Sequence, residues 1–403
     1  MKIFLSLNPL ELKKFKHYFQ KMQAIGRSES KRLNWIAFIF GNAPLHCLGY
    51  FLGPLDMATL QTTSATMQTS LRNVIRARNE ELPVEKRMAN LEGAFTVWEV
   101  YKKLLKCEGR QPDDIIATGG YVVEQTVNTV MILDLVTKQY TTLAPMTTAR
   151  MYHASAVLND KFYVMGGIMG GNNNDGFTSV VSVECLDLET GQWSEVAPIS
   201  APRDSHGAAV LGGNIYMAGG TPVETLVERF DPVRNKWTAV TPMNTPRTTH
   251  GLVSADGKLF AVGGYNRFGQ ALSSVECFDP KTGEWTNIAA LSIPRYELAV
   301  AVLGNMLYAI GGNDSQDERQ SSVECLNLSV PNSEWTAVDP MIIPRASMEA
   351  VVTGGKIYIF GVHGSSNVSS CIECFDPSDG PSGRWTVISE SSKFETRSTI
   401  TSL

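Results

Sequence analysis

Positive charge is scarce over most of this chain. Of its 35 Lys and Arg residues, 17 fall within residues 1–110, leaving 18 beyond them against 31 of the 40 Asp and Glu residues. An acidic region of that kind argues against nucleic acid as its main ligand, because phosphate binding requires clustered cations. Cysteine is scarce too: there are seven, an odd number, which gives no disulfide framework. A clean apolar run is also lacking. Leu33 to Leu55 holds no charged residue, but Asn34, Asn42, Pro44, His46 and Pro54 interrupt it, and a membrane span needs about 20 mainly apolar residues. The segment therefore reads as buried or poorly ordered rather than spanning. It starts late and no small-residue cleavage site closes it, which argues against a secretory signal. With 43% hydrophobic and 19% charged residues, a folded soluble protein is expected.

What is abundant is repetition. A short apolar run ending in two glycines appears as Ile115–Gly120, Phe162–Gly167, Ile215–Gly220, Leu259–Gly264 and Leu307–Gly312. A sixth copy, Ile357–Val362, keeps only the first glycine, Gly361. The first glycines lie 47, 53, 44, 48 and 50 residues apart. A fixed period near 50 residues marks a repeat architecture and decides the fold.

The copy from Arg247 to Leu291 is the clearest. Thr248 to Ser254 reads as a first strand, followed by the hairpin signal Asp256-Gly257. Lys258 to Val262 reads as a second strand ending at the glycine pair. A polar loop, Tyr265 to Ser273, leads to a third strand at Ser274 to Phe278, stopped by Asp279-Pro280. Glu284 to Ile288 is the fourth and carries Trp285. Four short strands joined by tight turns make one propeller blade. The tryptophan recurs as Trp193, Trp237, Trp335 and Trp385, with Tyr140 in the first copy. The third-strand pattern recurs as Val183-Glu184-Cys185, Val227-Glu228-Arg229, Val323-Glu324-Cys325 and Ile372-Glu373-Cys374. These Gly, Trp and Val positions belong to the architecture.

The first copy starts on its glycine-pair strand and lacks an innermost strand. Arg397 to Leu403 has the innermost-strand phase set by Arg247. The C-terminal strand is therefore expected to complete the first blade and remove an open sheet edge. The predicted fold is all-β: a six-bladed propeller over residues 111–403, preceded by a small helical N-terminal segment, residues 1–110. In that segment Leu10 to Gln23, Leu71 to Arg78 and Met88 to Cys107 read as helices.

Glycine pair, preceding tyrosine and later tryptophan together make the kelch signature. Residues 115–403 resemble kelch-repeat propellers. The Pro-Arg starts, the Val-Glu-Cys-Phe-Asp-Pro segments and the preceding helix resemble most closely the kelch-like family of BTB-BACK-kelch proteins. That resemblance implies a propeller that holds a protein, with dimerisation and cullin ubiquitin-ligase engagement left to BTB and BACK domains; some members bind actin. Residues 1–110 cannot hold both domains at normal size, and residues 71–107 resemble at most a BACK remnant.

An arginine opens every innermost strand: Arg150, Arg203, Arg247, Arg295, Arg345 and Arg397. Repetition places them at one height around the channel mouth. Similarity to kelch-like proteins implies that they line a pocket gripping acidic peptides, for which the planar guanidinium fork is suited. The other reading is that each binds backbone carbonyls and ties the blades together; both stay open. The residues that follow differ between copies, including Tyr152, Ser205 and Tyr296, and are candidates for specificity. So are Tyr121, Tyr265, Arg267 and His363 in the loops after the glycine pairs, because loops on a rigid scaffold carry binding residues.

His153, His206 and His250 share one phase, and three converging imidazoles could hold a metal; because no carboxylate recurs with them, shared repeat ancestry is the preferred reading. Cys371 and Cys374 have half-zinc-site spacing, but residues three apart on a strand face opposite ways. Cys185, Cys277, Cys325 and Cys374 share one phase too far apart to bridge, which suggests reduced thiols in a cytoplasmic or nuclear protein. No nucleophile–base pair stands out. The expectation is a non-catalytic, cofactor-free module binding a partner protein or acidic peptide, as a ubiquitin-ligase substrate adaptor. The alternatives are an actin-binding scaffold or, less favoured, a propeller enzyme.

Overall fold

The computed structural model describes residues 114–119, 121–122, 125–135, 140–170, 176–188, 190–361, 370–380, 382–391 and 399–402. The chain divides into two units, Met1–Pro112 and Asp113–Leu403. The first, with its expected helices and the uncharged run, lies outside the described residues. No helix among the described residues is long and apolar enough to cross a membrane.

Six four-stranded antiparallel sheets make the six blades. Blades II to VI each take four consecutive long strands. Blade IV, for example, runs Gly251–Ala255, Lys258–Val262, Val275–Asp279 and Glu284–Ile288. Blade I is built from both ends of the propeller: Asp114–Thr118, Val130–Asp134 and Tyr140–Thr142 are joined by Thr399–Ser402 as the innermost strand. The register pairs Ile115 with Ser402, Ile116 with Thr401, Ala117 with Ile400 and Thr118 with Thr399. The expected closure is therefore the one that forms.

Alternation of side chains along each strand fills the seams between blades. Tyr163 of blade II meets Phe230 of blade III edge to face at 5.7 Å, and Tyr308 of blade V meets Phe375 of blade VI at 5.6 Å. Phe230, Phe278 and Phe375 each pack on their own blade's Trp237, Trp285 and Trp385 at 5.0–5.1 Å. Such aromatic pairs add about 0.5–1.5 kcal/mol beyond the area they bury. Each indole N–H also reaches back one blade. Trp193 donates to Ala144 O, Trp237 to Ala197 O and Trp335 to Ala289 O, all at 2.8 Å; Trp285 reaches Thr241 O at 3.0 Å and Trp385 reaches Asp339 O at 2.9 Å. The fourth-strand tryptophan is thus a strap between neighbours.

The glycine pair has a steric cause. Gly166 and Gly167 have φ of +59° and +91°. A Cβ on Gly166 would sit 2.7 Å from Arg203 O in the next blade, and one on Gly167 would sit 2.7 Å from Met151 O and 2.8 Å from His153 Cβ. Only glycine combines that backbone with that approach. The Gly167 N–H uses the space to donate to Arg203 O at 2.9 Å.

Two local expectations change. The innermost strand of blade IV begins at Gly251, three residues later than its apolar pattern suggests. The residue two past each arginine is left-handed, which keeps the chain out of extended geometry: Tyr152, Ser205, Thr249, Glu297 and Ser347 have φ of 48–55°. The loop after the blade IV glycines also contains a small hairpin, Tyr265–Asn266 paired with Gln270–Ala271.

Candidate binding face at the channel mouth

The arginines are not at the surface. Arg150, Arg203, Arg247, Arg295 and Arg345 are each 0% exposed. Every one is ion-paired with the glutamate of its own blade's third strand: Arg150 with Glu184 at 2.5 Å, Arg247 with Glu276 and Arg295 with Glu324 at 2.8 Å, Arg345 with Glu373 at 2.5 Å, and Arg203 with Glu228. The remaining Nη groups have fixed tasks, while the Nε of Arg203, Arg247 and Arg295 is buried without a hydrogen-bond partner among the described residues. Arg247 Nη1 donates to Gly263 O and Ser274 O, both at 2.8 Å, and Nη2 donates to Ser274 Oγ at 2.9 Å. Arg150 and Arg295 repeat this with Ser182 and Ser322. The carboxylates in turn accept backbone N–H groups just upstream of the arginine, as Glu276 does from Asn244 at 2.8 Å and Thr245 at 2.9 Å. Burial alone would raise the Glu276 carboxyl, but Arg247 and those donors hold it below its ordinary range.

These five arginines therefore cannot grip a partner's carboxylate. The expected acidic-peptide pocket is corrected on that ground: side chains committed to internal carbonyls, hydroxyls and a counter-ion offer nothing to solvent. Of the two readings, the one in which arginine binds backbone carbonyls describes them, although the side chain serves its own blade. The link to the neighbouring blade runs through the arginine's backbone carbonyl, which accepts the second glycine's N–H. The missed partner, the third-strand glutamate, was visible as the middle residue of each Val-Glu-Cys-type segment. Arg397 and His363 lie outside the described residues.

What does face the mouth is the left-handed residue two past each arginine. Its backbone forms a belt from blade to blade: Ser205 N donates to Tyr152 O at 2.9 Å, Thr249 N to Ser205 O at 2.8 Å, Glu297 N to Thr249 O at 2.9 Å, and Ser347 N to Glu297 O at 3.0 Å. The loops after the glycine pairs are anchored to the same rim. Bridges join Met151 to Ile168, Asp204 to Thr221, Thr248 to Tyr265 and Tyr296 to Asn313. Tyr121 begins a hairpin with Thr126 in the corresponding loop of blade I.

Several candidates meet there. Tyr265 and Tyr296 pack at 4.9 Å between centroids, and Tyr296 donates its hydroxyl to Asp317 at 2.7 Å. Burial, followed by the Asp317 carboxylate, raises the Tyr296 phenol well above its usual value. Arg267 is exposed and lies 5.3 Å from the Phe268 ring, itself 73% exposed. Glu297 accepts from Ser347 Oγ at 2.6 Å and Asn313 Nδ2 at 3.1 Å.

Beneath the rim the channel holds a cavity of about 370 Å³ whose lining includes His153, His206, His250 and Leu298, which share one phase, together with Glu349. A smaller space of about 110 Å³, bounded by Tyr152, Ser205, Thr249, Glu297 and Ser347, lies above it and shares the histidines and Glu349. His153 and His250 have pKa values lowered to about 3, by burial first and then by Arg150 and Arg247 respectively; His206 is lowered for the same reasons. All three rings are neutral and lie against the first glycines of the pairs, and His153 Nε2 is hydrogen-bonded with Thr118 Oγ1 at 3.0 Å. No group of three or more His, Cys, Asp or Glu side chains suited to a metal exists among the described residues.

Comparison with known proteins agrees with this geometry. Residues 109–264 match the KLHDC2/KLHL20/DRC7 Kelch-repeats domain, and residues 246–292, 294–342 and 344–392 each match the Kelch motif. The chain is 38% identical over 78 residues to Kelch-like protein 30 of Homo sapiens, covering 19% of this chain and 13% of that protein. It is 32% identical over 109 residues to Kelch-like protein 26 of Danio rerio, covering 27% and 18%. It is 29% identical over 128 residues to Alpha-scruin of Limulus polyphemus, covering 32% and 13%. The matched stretch thus spans less than a fifth of each of these relatives. The solved structure of YjhT superposes with a TM-score of 0.55 at 16% identity, covering 68% of this chain and 97% of that one, which shows a shared fold. With its closed wheel of six blades and its matches over four successive stretches, the chain belongs to the kelch-repeat proteins.

Proposed function

We propose that the propeller is a protein-binding module that holds its partner across the channel mouth. The observation that carries this is the rim itself. Its peptide groups repeat from blade to blade, while its side chains are Tyr152, Ser205, Thr249, Glu297 and Ser347. A constant frame bearing unlike groups suits recognition of an asymmetric partner. The surrounding loops add exposed apolar groups, Phe177 at 52%, Met169 at 44% and Phe268 at 73%. Aromatic residues of this kind anchor interfaces.

The finer reading is a substrate adaptor for a ubiquitin ligase, supported by the partial similarity to Kelch-like proteins. Cys185, Cys277, Cys325 and Cys374 are free and buried, which fits a reducing compartment such as the cytoplasm. Capture experiments with the full chain test the module. Tyr265→Ala with Phe268→Ser should remove partners that the parent protein and Val233→Asp both retain. Val233 is 91% exposed on a turn at the opposite end of the strands and serves as the control. Partners held equally by all three proteins would refute a docking role for this face. Co-purification of a cullin checks the adaptor reading, and co-sedimentation with actin filaments checks the scaffold alternative implied by the kelch resemblance.

A further inference from the structure

Four positions on the channel wall are kept small and a fifth is not. The residue four past the arginine is Ala154, Gly207, Gly251 and Ala299 in blades II to V, but Glu349 in blade VI, and all five line the cavity. The Glu349 carboxylate stands exposed to the channel and has no hydrogen-bond or ion-pair partner among the described residues. The enclosing walls push its carboxyl pKa up to about 7. A cation entering the channel would supply the missing counter-charge.

A second group points to the same kind of occupant. His250 is 7% exposed, lines both the cavity and the space above it, and has no partner for either ring nitrogen. Its Nε2 lies beside Gly207, 3.3 Å from where a Cβ on that glycine would be. Held neutral, the ring offers one acceptor lone pair, so a buried donor-rich group would satisfy it.

Charge at the rim extends the pattern outward. Asp204, Glu297, Asp314, Asp317 and Glu318 lie on the rim and its loops, and none has an ion-pair partner among the described residues. Arg267 and Arg319 are the opposing cations on the described parts of those loops. Because the acidic groups run from the channel out over the loops of blades III to V, they exceed the reach of a small amine and suit an extended segment.

Resting on the protein-binding reading above, we propose that the mouth receives a lysine- or arginine-bearing segment of its partner, one cationic side chain entering the channel with Glu349 as counter-ion and His250 as a further acceptor. Two substitutions test it with little risk to the fold, because each installs a residue or shape the repeat already tolerates. Glu349→Ala copies Ala154 and Ala299, and His250→Leu copies Leu298 at the same phase. Fluorescence anisotropy with the full chain would compare three N-acetylated, C-amidated Gly/Ser peptides carrying two lysines, two acetyl-lysines or two glutamates. The dilysine peptide should bind at least about tenfold more tightly than the others, lose that advantage in Glu349→Ala, and weaken in His250→Leu. Equal binding of all three peptides, or an unchanged dilysine affinity in Glu349→Ala, would overturn the proposal. If Tyr265→Ala with Phe268→Ser still abolishes partner capture while Glu349→Ala captures normally, the protein-binding reading stands and the basic-segment reading falls. If neither variant alters capture, both fall.

Discussion

Arg295 Nη2 lies 2.8 Å from Glu324 Oε1, and the guanidinium has no access to solvent. Glu324 also accepts from the backbone and hydroxyl of Ser292, at 2.9 and 2.6 Å. The pair joins the entry to one innermost strand to the third strand of the same blade. Replacing Arg295 with Ala should strand a buried carboxylate and cost about 3–5 kcal/mol. Arg295→Met combined with Glu324→Gln should cost less, since no unpaired charge remains. Urea melts of the two variants check the ordering; equal losses would count against the buried-charge account.

Acid should loosen the channel wall before it breaks the ion pairs. His153 and His250 hold folded pKa values of about 3 against ordinary values of 6.5. The unfolded chain therefore takes up protons that the folded one refuses, and stability declines as pH falls from 6.5 towards 3. Glu276 and Glu324 are depressed below 4.5, so their share is present above that value and fades beneath it. Glu349, raised to about 7, works in the opposite sense across this window. Thermal midpoints measured between pH 7.5 and 4.5 should therefore fall most clearly in Glu349→Ala, and His153→Leu with His250→Leu should flatten that slope. A slope unaltered by the double substitution would place the titrating groups elsewhere.

Steric demand at the glycine pair separates two superficially similar glycines. Gly167→Ala must place a Cβ against Met151 O and His153 at 2.7–2.8 Å with φ at +91°, whereas Gly257→Ala meets nothing within 4 Å at φ +74°. The second should cost about 1 kcal/mol from its backbone alone. The first should cost clearly more, about 2–4 kcal/mol once strain and displacement are combined. Chemical denaturation of the two single variants makes the comparison.

Removing Thr399–Leu403 deletes the innermost strand of blade I and bares the edge of Asp114–Thr118. The shortened protein should lose cooperative unfolding and self-associate, because an unpaired strand is a template for another chain. Analytical ultracentrifugation alongside calorimetry would show it; a monomer melting as the parent does would mean that the closure is dispensable.

Much of this architecture was legible because repetition multiplies weak signals. One Trp285 or one Gly263-Gly264 means little, but five in phase define strands, turns and the closing strand at Thr399–Ser402. The arginines illustrate the limit. Their common height followed from the repeat, yet whether a side chain points out or in depends on what lies opposite it in space. Glu276 is 29 residues from Arg247, and only strand pairing brings the carboxylate beneath the guanidinium. Glu349 was missed for the converse reason. It breaks the small-residue phase set by Ala154, Gly207, Gly251 and Ala299, and that break acquires meaning only once those positions are seen to share a cavity.

The belt of Ser205 N to Tyr152 O, Thr249 N to Ser205 O and its successors is made of main-chain atoms alone. Holding the wheel's rim in this way leaves the attached side chains with little duty to closure, the Ser347 Oγ to Glu297 bond being a side-chain link that joins two of these positions. Positions 152, 205, 249, 297 and 347 can therefore be randomised together, keeping to residues that accept left-handed backbone, and selected for new ligands while the wheel beneath stays assembled. The protein thereby offers a retargetable scaffold.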